Sequence, residues 1–121
     1  MTIDVKQFLY AKGSDKTLDA QLSAAPVFGK VRPGSTVLFW KNGFRWYHIP
    51  YSQLQRIRRG ISTVVGRLCA GGRNYDIEYL ILILHSGEEL TIHIGDDVKE
   101  QAEALLEYLK GAHPEISYGK V

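Results

Sequence analysis

Hydrophobic residues along this chain change period several times, and each change marks an element. Residues 36–50, "TVLFWKNGFRWYHIP", are β-branched and aromatic on both sides of an Asn-Gly pair. Asn-Gly is the strongest short-range hairpin cue, because both central positions of a type I′ turn take positive φ. That turn sets Lys41 opposite Phe44, Trp40 opposite Arg45, Phe39 opposite Trp46 and Leu38 opposite Tyr47. Trp40 and Arg45 then form a cation–π or stem-packing pair. A turn at 50–53 leads to a third strand over Leu54–Arg59, "ISTVVGRL" reads as a fourth, and Ala70 to Asn74 as a loop. The stretch "YDIEYLILILH" is apolar on both faces, the pattern of a central strand covered on two sides. Leu90, Ile92 and Ile94 alternate strictly in the strand that returns. Its register stays open. A two-residue Ser86-Gly87 loop sets Ile83 and Ile81 opposite Leu90 and Ile92, a three-residue loop sets Leu84 and Leu82 there, and the two swap faces.

The period then becomes helical. Val98, Ala102, Leu105 and Leu109 form an apolar stripe that Leu106 widens, with Asp97 as N-cap, Glu100 three residues on, Gly111 at C′ and Pro114 beyond. These are the start and stop signals of an amphipathic helix. Near the N-terminus, Ser14 or Asp15 caps a short helix over about 16–24, carrying Leu18 and Leu22 and stopped by Pro26. Val5, Phe8 and Leu9 suggest another amphipathic turn before it. Residues 1–26 are thus expected to be a helical segment packing on a domain of residues 27–121.

Composition changes this picture little. At 121 residues and 45% hydrophobic, the chain suits one domain with a single core and no staples. The lone Cys69 cannot close an internal disulfide, and reads as a small thiol ending an apolar run. The run Tyr79–Leu84 is too short to span a bilayer, and the start lacks a secretory pattern, so a cytoplasmic protein is expected.

Charge adds more. No acid occurs from Ala20 to Tyr75, a span holding Lys30, Arg32, Lys41, Arg45, Arg56, Arg58, Arg59, Arg67 and Arg73, whereas the acids cluster from Asp76 onward. Such a split marks either a partner-binding face or internal matching of basic strands to acidic ones. Internal matching is the preferred reading, because a curled sheet brings distant strands together.

The element order, with "IPYSQLQRI", "SGEELTIHI" and "LKGAHPEISYG", resembles the small bacterial PH-like families of unknown function. The matching residues are Ile49-Pro50, Leu54, Ile57, Ser86-Gly87, Leu90 to Ile94, Leu109, Pro114, Ile116 and Gly119, within about residues 27–119. The resemblance implies an α+β fold, a PH-like bent antiparallel β-barrel or sheet of about six to seven strands capped by a C-terminal helix. Its motifs are packing motifs and carry no activity.

Candidate chemistry is sparse. No nucleophile–base pair and no glycine-rich phosphate loop is present, so no enzyme activity is expected. The four histidines lack ligand spacing, so neither metal nor cofactor is expected. The candidate binding surface is Trp40, Lys41, Arg45, Tyr47, Arg56 and Arg58. Exposed Trp, Tyr and Arg favour a protein partner or a homo-oligomer. An anionic ligand is the alternative, through the basic 30–73 span: a membrane headgroup, or, less favoured, nucleic acid. Lys41 and Arg45 loosely fit the basic hairpin pattern by which eukaryotic PH domains grip inositol phosphates, but position 47 is Tyr.

Overall fold

The computed structural model describes residues 5–64 and 74–119. Arg67, Cys69, Arg73, most of the loop expected at 70–74 and the end of the expected fourth strand lie outside the described residues. The chain is α+β, with strands β1 (Leu9–Tyr10), β2 (Val31–Pro33), β3 (Val37–Asn42), β4 (Arg45–Pro50), β5 (Leu54–Val64), β6 (Tyr75–Leu84), β7 (Glu89–Asp96) and β8 (Ser117–Tyr118). Helix α1 spans Lys16–Ala24 and α2 spans Lys99–Ala112.

The strands form two four-stranded sheets, ordered β1-β4-β3-β2 and β7-β6-β5-β8. The first is antiparallel; in the second, β8 joins β5 in parallel. The expected closed barrel is therefore corrected to two sheets. They approach at the edges where Lys30 N–H donates to the Ile94 carbonyl at 2.9 Å, a bond outside any ladder. Gly29 permits this approach: its φ is +61°, and a Cβ there would collide with the Ile94 carbonyl oxygen.

One core lies between the sheets and α2. Leu38, Trp40, Tyr47 and Ile49 of the first sheet face Ile57, Leu80, Leu82, Leu90, Ile92 and Ile94 of the second, and Ala102, Leu105 and Leu109 of α2 close it. A smaller core fills the opposite face of the first sheet, where Val37 and Phe39 meet Tyr10 and Leu22 of the N-terminal segment. Helix α1 begins where its residues dictate: the Asp15 carboxylate accepts from the N–H groups of Thr17 and Leu18.

Several local expectations are corrected. The β3–β4 turn is Gly43-Phe44, one residue later than Asn42-Gly43, so Asn42 pairs with Arg45, Trp40 with Tyr47 and Phe39 with His48. Gly43 has φ +65° and Asn42 is not left-handed, the glycine-first pattern of a type II′ turn. Packing explains the choice: Trp40 stacks on Tyr47 at 5.6 Å and 11° inside the core, whereas Arg45 opposite Trp40 would bring a cation there. The third and fourth strands are one strand, β5, passing through Gly60. A side chain at Gly60 would lie 2.7 Å from Ile81 Cδ1, so glycine makes room for the neighbouring strand rather than ending its own.

The β6–β7 loop is His85-Ser86-Gly87, with Gly87 at φ +91° and the Leu84 N–H donating to the Glu88 carbonyl at 2.9 Å. Leu82 pairs with Leu90 and Leu80 with Ile92. The inward face is that of the three-residue alternative, with partners displaced by two. Only one face of β6 is fully buried; Tyr79, Ile81 and Ile83 on the other are half-buried.

Helix α2 has Val98 as its N-cap, with no side-chain cap bond. The Asp97 carboxylate instead accepts from the Asp76 N–H at 3.0 Å, and Asp97 has φ +52°. At the other end, Gly111 lies inside the helix and His113 is the C-cap.

Candidate functional site

Alternation along β3 and β4 decides what the first sheet shows to solvent. Trp40 and Tyr47 point inward and are buried, which removes both from the expected binding surface. Lys41 and Trp46, a cross-strand pair, lie on the opposite face, where Trp46 packs partly buried against the smaller core. Arg32 on β2 joins them: its Cζ is 5.1 Å from the centre of the Trp46 ring, and Lys41 Nζ is 5.6 Å from it. Cations at such distances are held by the ring quadrupole without an acid.

A cleft of about 310 Å³ opens here, lined by Gly29, Lys30, Arg32, Lys41, Gly43 and Trp46. A second, more open hollow of about 410 Å³ also touches Trp46 and includes Leu9, Lys12, Phe44 and Arg45. Phe44, at the tip of the turn, is wholly exposed at 101%. Among the described residues, no carboxylate lies within ion-pair distance of Arg32, Lys41 or Arg45. Lys30 differs: its Nζ is 3.1 Å from His93 Nδ1, and His93 Nε2 is 2.9 Å from Asp96 Oδ1.

The six candidate residues are not brought together. Lys41 and Arg45 flank the β3–β4 turn. Arg56 and Arg58 lie on β5, where Arg56 donates to the Gly119 carbonyl at 3.3 Å and Arg58 sits 3.7 Å from Glu89. The expected Trp40–Arg45 pair is replaced by Arg32 and Lys41 on Trp46. Lys30, Arg32, Phe44 and Trp46 were missed as site residues. The parity of β4 carried a signal for Trp46, since it must face away from Tyr47.

Three of the four histidines, His48, His93 and His113, are used in packing or hydrogen bonding. His48 Nδ1 lies 3.2 Å from the Phe8 carbonyl oxygen, and His113 stacks on Tyr51 at 3.6 Å. No cluster of three or more metal-ligating side chains occurs among the described residues. Nor is any helix there long and apolar enough to cross a membrane. No family model, curated protein or solved structure matches the chain significantly.

Proposed function

We propose that the protein is a non-catalytic, PH-like interaction module that docks on an anionic, phosphate-bearing membrane surface through its β3–β4 hairpin. The observation that carries this reading is the convergence of Lys30, Arg32 and Lys41 on the Trp46 cleft, with no carboxylate of the described residues within ion-pair distance of Arg32 or Lys41 and an exposed Phe44 at the tip. Phosphate recognition needs several donors aimed at one place. An apolar tip ringed by Lys12, Lys41 and Arg45 suits an interface with hydrocarbon below and phosphate above. Each basic residue near an anionic surface contributes about 1 kcal/mol. With five such residues and a partly inserted Phe44 adding about 2 kcal/mol, the total of about 7 kcal/mol corresponds to Kd on the order of 10 μM, a reversible attachment. The PH-like assignment rests on the order of strands followed by a core-packing C-terminal helix.

Sedimentation with vesicles tests the reading. The protein should bind phosphatidylcholine vesicles containing phosphatidylglycerol, not phosphatidylcholine alone, and should be released by salt. The R32A/K41A double variant should bind about tenfold or more weakly while unfolding like the wild type. Equal binding to both vesicle types would overturn it.

A second reading, self-association, is favoured by the open edge of β5. Strand β8 pairs only with Arg56 and Ile57. The segment Gly60–Val64 beyond carries no charge, and its Ile61 is 54% exposed. Charge is a usual guard against strand addition, and this stretch lacks it. Light scattering that shows a monomer at all concentrations removes this second reading and leaves the first.

A further inference from the structure

Of the Lys30–His93–Asp96 chain at the cleft's edge the docking reading uses Lys30 alone, yet the bonding of all three admits one protonation pattern. An ammonium only donates, so His93 Nδ1, 3.1 Å from Lys30 Nζ, must accept. The ring proton is then on Nε2, where the Asp96 carboxylate accepts it at 2.9 Å. All three groups are satisfied with a neutral imidazole and a lysine tied towards β7.

We infer that His93 is a positioning residue that gates Lys30, so that the Trp46 cleft takes anions more tightly as pH falls. Once His93 is protonated, both ring nitrogens donate and Nδ1–H faces the ammonium. The hydrogen bond is lost and two like charges repel. Asp96 still accepts from Nε2, so the imidazolium stays and the lysine leaves. Its backbone cannot follow, because Lys30 N–H donates to Ile94 and its carbonyl accepts from Lys41 N–H at 3.0 Å. The freed side chain therefore remains beside the cleft that it lines, and the imidazolium adds a further positive charge there.

Other groups around the histidine leave this sign unchanged. Tyr79 of β6, at 5.9 Å between rings, faces it across the sheet with its aromatic ring. Gln101 of α2, which accepts from Gly29 N–H at 2.6 Å, is uncharged. By linkage, a bound anion favours the protonated histidine by the same factor that protonation favours the anion.

The inference rests on the anionic-surface reading, and the experiment separates the two. Phosphatidylglycerol suits it, because its phosphodiester keeps one charge between pH 8 and 5.5. At constant ionic strength, wild-type binding should be about fivefold tighter at the lower pH. His93→Gln, whose amide can accept from Lys30 and donate to Asp96 but takes up no proton in this range, should lose that gain. A gain that persists in the Gln variant, or wild-type binding independent of pH, overturns the gate while the docking reading stands. Absence of binding at both pH values overturns the docking reading and the gate's role in it. Imidazole ¹⁵N shifts at pH 8 then still judge the underlying bond: the Nε2–H tautomer supports it, and the Nδ1–H tautomer refutes it.

Discussion

Arg32 in the first sheet and Arg59 in the second are both partly covered arginines on strands, yet their surroundings are opposite. The Arg59 guanidinium donates twice to Glu78, at 2.6 and 3.0 Å, and lies 3.5 Å from Glu103 of α2. Glu78 is 1% exposed, and its hydrogen bond raises the Arg59 pKa above the ordinary arginine value. Arg32 has the face of Trp46 and, among the described residues, no carboxylate within ion-pair distance. The charge on Arg59 is neutralised within the molecule, where it links β5, β6 and α2. The charge on Arg32 is left to act outward. Internal matching of the lopsided charge distribution therefore holds at Arg59 in the second sheet, whereas in the first a cation–π contact orders Arg32.

Breaking the matched side has the largest expected effect. Glu78→Ala leaves Arg59 against the core without its carboxylate, and losing one partner of a buried pair costs about 3 kcal/mol. Urea unfolding should show this as a lower midpoint at unchanged slope. Arg32→Ala should shift the midpoint by no more than about 1 kcal/mol, since what it loses is one cation–π contact. Equal losses for the two would erase the distinction between the sheets.

Alkaline titration probes the cores on which both sheets depend. Burial raises the Tyr51 hydroxyl, which donates to the Gly34 carbonyl at 2.9 Å. Burial, then the charge of Glu115, pushes Tyr118 up to about 12. Burial, then the hydrogen bond to Asp19, pushes Tyr10 up to about 12. A folded pKa above the unfolded value of 10 means that the unfolded chain releases its protons first. Stability from these groups is thus whole below pH 10 and lost as pH climbs through 12. Tyrosinate absorbance and unfolding free energy should move together in that window. Tyr51→Phe should flatten the decline.

A smaller effect follows at α1. Asp15→Ala removes the acceptor for two helix N–H groups and should cost about 1 kcal/mol, detached from the chemistry of either arginine.

This helix was legible within the least readable third of the chain, because cap, stripe and stop all lie within twelve residues. Capping at α2 was less legible: Asp97 has the right identity and spacing, but the Asp76 N–H on the neighbouring strand takes its carboxylate, a competitor 21 residues away. Gly60 and Asn42-Gly43 misled for the same reason. Each is a local signal overruled by what packs across the sheet, Ile81 in one case and the Trp40–Tyr47 stack in the other. The cleft was legible in composition alone. Lys30, Arg32 and Lys41 were visible as part of an acid-free span, but their meeting at Trp46 needs the β2–β3–β4 pairing, and β2 is only three residues long. Arg58 and Lys41 look alike in sequence; Glu89, 31 residues from Arg58, separates them.

That last pair gives the finest comparison. Arg58 is a partly exposed arginine 3.7 Å from Glu89, whose own side chain is 52% exposed. Pairs of this kind contribute about 0.5 kcal/mol or less, so Arg58→Gln should barely change unfolding. Its charge is also already offset by Glu89, and it sits on the other sheet, so binding to phosphatidylglycerol vesicles should hold at wild-type strength. Lys41→Gln removes the same unit of charge at no greater cost to stability, yet should weaken vesicle binding about fivefold. If both variants weaken binding equally, the surface responds to net charge alone, and neither the Trp46 cleft nor the division between the sheets directs the docking. A loss confined to Lys41 ties attachment to the hairpin, because the two variants share net charge and differ only in where the cation was held.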